Sequence, residues 1–135
     1  MLISESLPSD LGRVEAFISA AMAKLSPELP DPSFGFQIKL ALHEALVNAV
    51  RHGNQMNPQL AVRVDIALEP GKLAITVTDQ GRGFDARQVP VPTCVEHLEK
   101  LSGRGIFLIR KIMDQAEFLD QGRTIKMVKY FRGQS

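Results

Sequence analysis

The chain has 135 residues, 44% of them hydrophobic and 23% charged, ordinary values that exclude a disordered chain, a collagen-like chain and a coiled-coil rod. That length predicts one domain, residues 1–135, able to bury about two-thirds of its unfolded surface without a disulfide or structural metal. The 16 basic and 15 acidic side chains leave a net charge of +1, and so no general field for nucleic acid or an acidic membrane.

From the start, Leu2 and Ile3 predict a short strand. Ser9 or Asp10 can cap a helix running to about Leu25, with Leu11, Val14, Ile18, Ala21 and Leu25 on one face. Ser26-Pro27 and Leu29-Pro30-Asp31-Pro32 break it. A second helix is predicted from about Ser33 to His52, with Phe34, Ile38, Ala41, Leu42, Ala45 and Ala49 as its apolar stripe. Gly53 and Asn54 end it, and Pro58 prevents continuation.

Leu60 to Leu68 alternates, with Val62, Val64, Ile66 and Leu68 facing one way and Arg63 and Asp65 the other. Glu69 to Lys72 is a turn and Leu73 to Thr78 a second strand, which together predict an antiparallel hairpin. Gln80 to Ser102 has little regular pattern. Gly105 to Asp114 reads as a helix with Ile106, Ile109 and Met113 on one face. Ala116 to Leu119 and Thr124 to Phe131 predict a closing pair of strands joined at Asp120-Gln121-Gly122. The order β-α-α-β-β-loop-α-β-β predicts a two-layer α+β sandwich.

Residues 104–135 are locally basic (Arg104, Arg110, Lys111, Arg123, Lys126, Lys129 and Arg132), which is either a solvated face or a patch that attracts an anion. Cys94 is the only cysteine, so neither an internal disulfide nor a Cys-x-x-Cys metal pair can form. Met1 to Asp10 has no signal-peptide pattern, and no apolar run reaches the ~18 residues of a membrane span. The expected location is the cytoplasm.

Three segments carry possible chemistry. In the first, Glu44, Asn48 and His52 recur at i, i+4 and i+8 along one side of the second helix. A carboxylate there can act as a base, and an amide oxygen suits a hard cation such as Mg²⁺. In the second, Asp79-Gln80-Gly81-Arg82-Gly83 directly follows a strand. A buried Asp can accept a hydrogen bond from an exocyclic amine, while the glycines let a ligand ring approach the backbone. In the third, Gly103-Arg104-Gly105 opens a helix, where free N–H groups can hold phosphate. Each has an ordinary alternative: a polar helix border, a simple turn, a flexible start to a helix.

Rival motifs fail. Gly81-x-Gly83-x-x-Ala86 is followed by Val89-Pro90-Val91-Pro92 rather than a helix, so it is no Rossmann fingerprint. An EF-hand loop needs an oxygen side chain where Gly81 stands. His43-Glu44 starts a zincin pattern, but Val47 occupies the second histidine position. The chain also has no nucleophile elbow and no Walker phosphate loop.

In combination and order, the three segments resemble the boxes of the Bergerat ATP-binding fold shared by histidine kinases, DNA gyrase and the mismatch-repair MutL proteins. The run Leu40 to Gly53 and the run Gly103 to Asp114 resemble one branch, the bacterial anti-sigma factor serine/threonine kinases of the RsbW and SpoIIAB type. The resemblance extends from the first strand to Thr124. It implies a mixed, mostly antiparallel sheet with helices on one face, and binding of ATP with Mg²⁺. By that resemblance Glu44 is the base or orienting group for the attacking hydroxyl, and Asn48 ligates Mg²⁺. Asp79 meets the adenine amino group, Gly81 and Gly83 shape the base pocket, and Thr124 closes its end. Asp85 to Ser102 forms an ATP lid, and Gly103, Arg104 and Gly105 meet the phosphates.

The implied function is phosphorylation of a STAS-type anti-anti-sigma protein and sequestration of a sigma factor, with neither nucleic acid nor membrane as partner. A homodimer through the first helix or a sheet edge is a further implication. Two alternatives stay open: a nucleotide-responsive binding module that transfers no phosphate, and a stand-alone ATPase domain of a histidine kinase.

Overall fold

The computed structural model describes residues 1–81 and 105–132, with only the backbone at 105 and 106. The elements follow the expected order: β1 (Leu2–Pro8), α1 (Leu11–Leu25), α2 (Pro32–Asn48), β2 (Ala61–Glu69), β3 (Lys72–Thr78), α3 (Gly105–Ile112), β4 (Gln115–Leu119) and β5 (Thr124–Tyr130). A 3₁₀ turn, Ser26–Glu28, follows α1, and a π turn, Ala49–Gly53, follows α2.

Both long helices start at aspartates. Asp10 Oδ1 accepts from the backbone N–H of Gly12 (2.8 Å) and Arg13 (3.2 Å). Asp31 Oδ1 accepts from that of Phe34 at 2.8 Å, and Pro32 occupies the first helical position, where its missing N–H costs nothing. Asp31-Pro32, which reads in sequence as a helix breaker, is thus also a helix starter. Lys129 Nζ donates to the Ile112 carbonyl at 2.7 Å, placing a cation at the negative end of α3.

The sheet order is β1-β2-β3-β5-β4. All four pairings are antiparallel, so the mixed component expected of the sheet has no parallel pair among the described residues. The pleat sends Val62, Val64, Ile66 and Leu68 of β2, Leu73, Ile75 and Val77 of β3, and Ile125 and Met127 of β5 to one buried face. Val14, Ile18, Leu25, Ile38, Leu42, Leu46 and Ile109 complete the same core. Each such side chain contributes about 1.5–3 kcal/mol by leaving water. The opposite face carries the cross-strand row Ser4, Asp65, Thr76, Lys126 and Glu117, in which Ser4 Oγ donates to Asp65 Oδ1 at 2.6 Å.

β1 is longer than Leu2 and Ile3 suggest because Ser4, Glu5 and Ser6 are exposed on an edge strand and show no apolar alternation. α2 proper ends at Asn48 rather than His52. The π turn continues the backbone path to Gly53, closed by the Asn54 N–H donating to the Ala49 carbonyl at 2.8 Å. No helix among the described residues is long and apolar enough to cross a membrane.

Candidate functional site

The end of α2 supplies one half of the site. Glu44 and Asn48 are half-buried beside the core residues Ala45 and Ala49. With His43, Arg51, His52 and Glu15 they line a cavity of about 360 Å³. The i, i+4 spacing is what brings the carboxylate and the amide to one cavity. His43 Nε2 lies 3.0 Å from Glu15 Oε1 on α1, and its Nδ1 lies 3.8 Å from Glu44 Oε1. Among the described residues no group of three or more His, Cys, Asp or Glu could hold a metal.

The end of β3 supplies the other half. Asp79 is 8% exposed. Its backbone N–H donates to the Arg123 carbonyl (2.8 Å), and its Oδ1 accepts from the Gly81 N–H at 2.8 Å. Burial raises the Asp79 carboxyl above its ordinary range, against the opposing pull of the Gly81 N–H and the Arg123 guanidinium, while Asp120 adds to the rise. Thr78 Oγ1 and Thr124 Oγ1 share a hydrogen bond at 3.0 Å, so Thr124 stands on the neighbouring strand level with the residue before Asp79. Arg123 Nε donates to the Gly81 carbonyl at 2.9 Å.

Two glycines join the halves. A Cβ on Gly53 would overlap the Asp79 carboxyl, and one on Gly81 would overlap the Gly53 carbonyl. Gly53 and Gly81 also line a second cavity of about 410 Å³ with Asn54, Gln80 and Leu60. The last turn of the helix bearing Glu44 and Asn48 therefore packs directly on the loop bearing Asp79.

Residues 7–129 match the family described as histidine kinase-like ATPase domain. The chain is also 32% identical over 133 residues to the anti-sigma F factors of Bacillus cytotoxicus, Bacillus thuringiensis and Bacillus mycoides, an alignment covering 90% of this chain and 88% of each relative. The chain belongs to the histidine kinase-like ATPase family. Within it, its relatives are anti-sigma factors of bacteria.

In this ATPase domain, Glu44 and Asn48 lie together in one cavity, while Asp79, Gly81 and Thr124 gather at the ends of β3 and β5. Gly105 opens α3. Gly83, Gly103, Arg104, Cys94 and the proposed lid from Asp85 to Ser102 lie outside the described residues. The C-terminal basic surplus divides: Arg123 and Lys129 bond backbone carbonyls, whereas Arg110, Lys111, Lys126 and Arg132 are exposed.

The sequence marks Gly53 only as the end of a helix, and Arg123 only as a member of a basic run that could attract an anion. The contact of Gly53 with Asp79 joins residues 26 positions apart, which only the fold reveals. Asn54, also read as a helix stop, is buried to 1% exposure and hydrogen-bonded at both ends of its side chain.

Proposed function

We propose that this ATPase domain is an ATP-dependent protein-serine/threonine kinase that phosphorylates a STAS-type anti-anti-sigma protein and sequesters a sigma factor in the cytoplasm. The observation that carries it is the junction at Gly53: the helix bearing Glu44 and Asn48 abuts the buried Asp79. The anti-sigma names of the relatives support a sigma factor as one partner.

Asp79 would accept a hydrogen bond from the adenine amino group, beside Gly81 and Thr124. Asn48 offers a neutral oxygen and Glu44 a charged one in the same cavity. This fits Mg²⁺, which takes few protein ligands and completes its shell with phosphate oxygens and water. Asn48 would hold that ion, whose chemistry is to neutralise charge on the phosphates. Glu44 would take the proton from the serine hydroxyl as that oxygen bonds to the γ-phosphorus; the bond to the β–γ bridging oxygen breaks and ADP leaves. Gly103, Arg104 and Gly105, with Gly83 in the base pocket, would complete the nucleotide contacts.

The test is incubation of the chain with ATP, Mg²⁺ and a STAS-type antagonist, with phosphoserine read by mass spectrometry. Phosphoserine on the antagonist is expected. Nucleotide-dependent binding without transfer would replace the kinase with a binding module, and no nucleotide binding at all would overturn the reading of the site.

A further inference from the structure

Asn54 lies immediately after Gly53 and is almost completely buried. Its Oδ1 accepts from the Gln80 backbone N–H at 2.8 Å. Its Nδ2 donates to Ser9 Oγ at 2.9 Å and to the Ala61 carbonyl at 3.0 Å. Ser9 Oγ donates onward to the Leu60 carbonyl at 2.7 Å, and Gln80 Oε1 accepts from the Ala61 N–H at 2.7 Å. One carboxamide thus ties together the start of α1, the start of β2 and the residue between Asp79 and Gly81.

The β3 ladder ends at Thr78. Beyond it, the Asp79 N–H bonds the Arg123 carbonyl, the Gln80 N–H bonds Asn54, and the Gly81 carbonyl bonds Arg123 Nε. The Gly81 N–H in turn orients the Asp79 carboxyl. We propose that Asn54 is a positioning residue for purine recognition: by holding the Gln80 N–H it sets the Asp79–Gly81 segment, and through it the acceptor that reads adenine.

The residue type follows from the partners. Ala61 offers a carbonyl, which needs a donor, and Gln80 offers an N–H, which needs an acceptor. A carboxamide supplies both on one short side chain. Aspartate would set an acceptor against the Ala61 carbonyl, and an apolar residue would leave both part-buried groups without this partner. The π turn contributes by placing Gly53 on Asp79 and the next residue, Asn54, inward.

The proposal rests on Asp79 as the adenine acceptor, so its test is a cycle of Asn54→Ala, Asp79→Asn and the double variant in the full chain. ATP and GTP affinities are measured by calorimetry on samples shown by urea melts to be folded. Asn54→Ala should weaken ATP binding by about tenfold and narrow the preference for ATP over GTP. In the Asp79→Asn background it should cost less than about threefold more, because the two act on one contact.

A loss of stability with unchanged affinity in the folded protein, or losses that multiply independently of Asp79, would overturn the proposal. If Asp79→Asn alone leaves ATP affinity and adenine preference intact, the base-pocket reading itself fails, and the positioning role with it. If Asp79→Asn weakens binding and Asn54→Ala does not, only the positioning role fails. Should Asn54→Ala not fold, Ser9→Ala removes one acceptor of the same amide and is put through the same cycle: coupling to Asp79 supports the role, and independence overturns it.

Discussion

Gly53 has no room for a side chain because the Asp79 carboxyl occupies the position a Cβ would take. The turn that ends the helix bearing Glu44 and Asn48 can approach the loop that bears Asp79 only through that missing atom. Gly53→Ala should therefore push Asp79 aside. The expected result is a loss of about 1–3 kcal/mol of stability from overpacking, together with weaker ATP binding. Urea unfolding and calorimetry check both; wild-type affinity in this variant would show that the contact is packing alone.

Asp79 is predicted to cost stability where it serves binding. Its folded pKa is raised by burial, so the folded state holds this proton more tightly than the unfolded chain does. Stability from this group is therefore greatest below the ordinary carboxylate range and falls as pH rises through the interval up to the raised value. Asp79→Asn keeps an oxygen for the Gly81 N–H and removes the buried charge. It should unfold at higher urea than wild type at neutral pH, with the difference shrinking in acid. Adenine binding should fall by roughly 10–100-fold, the worth of a hydrogen bond to a charged group. In the wild type, ATP affinity should drop as pH falls through the raised value, because a protonated carboxyl loses acceptor capacity. A variant that is no more stable at neutral pH would remove the burial argument.

Arg123 acts on the same carboxyl from the sheet. Its guanidinium lowers the Asp79 pKa, its carbonyl receives the Asp79 N–H, and its Nε holds the Gly81 carbonyl. Arg123→Gln keeps the backbone bond and removes the charge. The acid limb of the ATP-affinity profile should then move to higher pH, with β5 intact by circular dichroism. A profile that stays put would mean that Arg123 serves the hairpin and not the carboxyl.

The buried faces of α2 and β2 were legible because burial imposes a period, of 3.6 on the helix and of 2 on the strand. Phe34, Ile38, Ala41, Leu42, Ala45 and Ala49 are all buried, as are Val62, Val64, Ile66 and Leu68. Edge strand β1 buries only Leu7 fully, so it left no such period. Glu44 and Asn48 were legible as a pair because i, i+4 spacing alone puts two side chains on one side of a helix. Asn54 was not, because its partners Ser9, Ala61 and Gln80 lie on three other segments. A lone Asn after Gly carries the same signal whether it stops a helix or fastens a site. The π turn left no trace either, since one extra residue per turn only blurs the period.

Glu44 and Asn48 share a cavity but should separate in function. Asn48→Ala removes the neutral oxygen, so binding of ATP should lose its dependence on Mg²⁺. The loss should be small in stability, because Asn48 is only half-buried at the last residue of α2. Glu44→Gln keeps the shape and the hydrogen-bonding reach but cannot take a proton. It should bind ATP nearly as well as wild type while phosphate transfer falls by roughly 10²–10⁴, the usual worth of a general base. His43 adds a control, since it joins Glu15 at 3.0 Å and stands beside Glu44. Glu15→Gln weakens that partly exposed pair at a cost of ~0–1 kcal/mol and should leave transfer near the wild-type rate. Single-turnover assays with the antagonist, run beside calorimetry for ATP, read all three variants. Native transfer by Glu44→Gln would strip the base role from Glu44. An equal loss in Glu15→Gln would move the chemistry toward the Glu15–His43 pair.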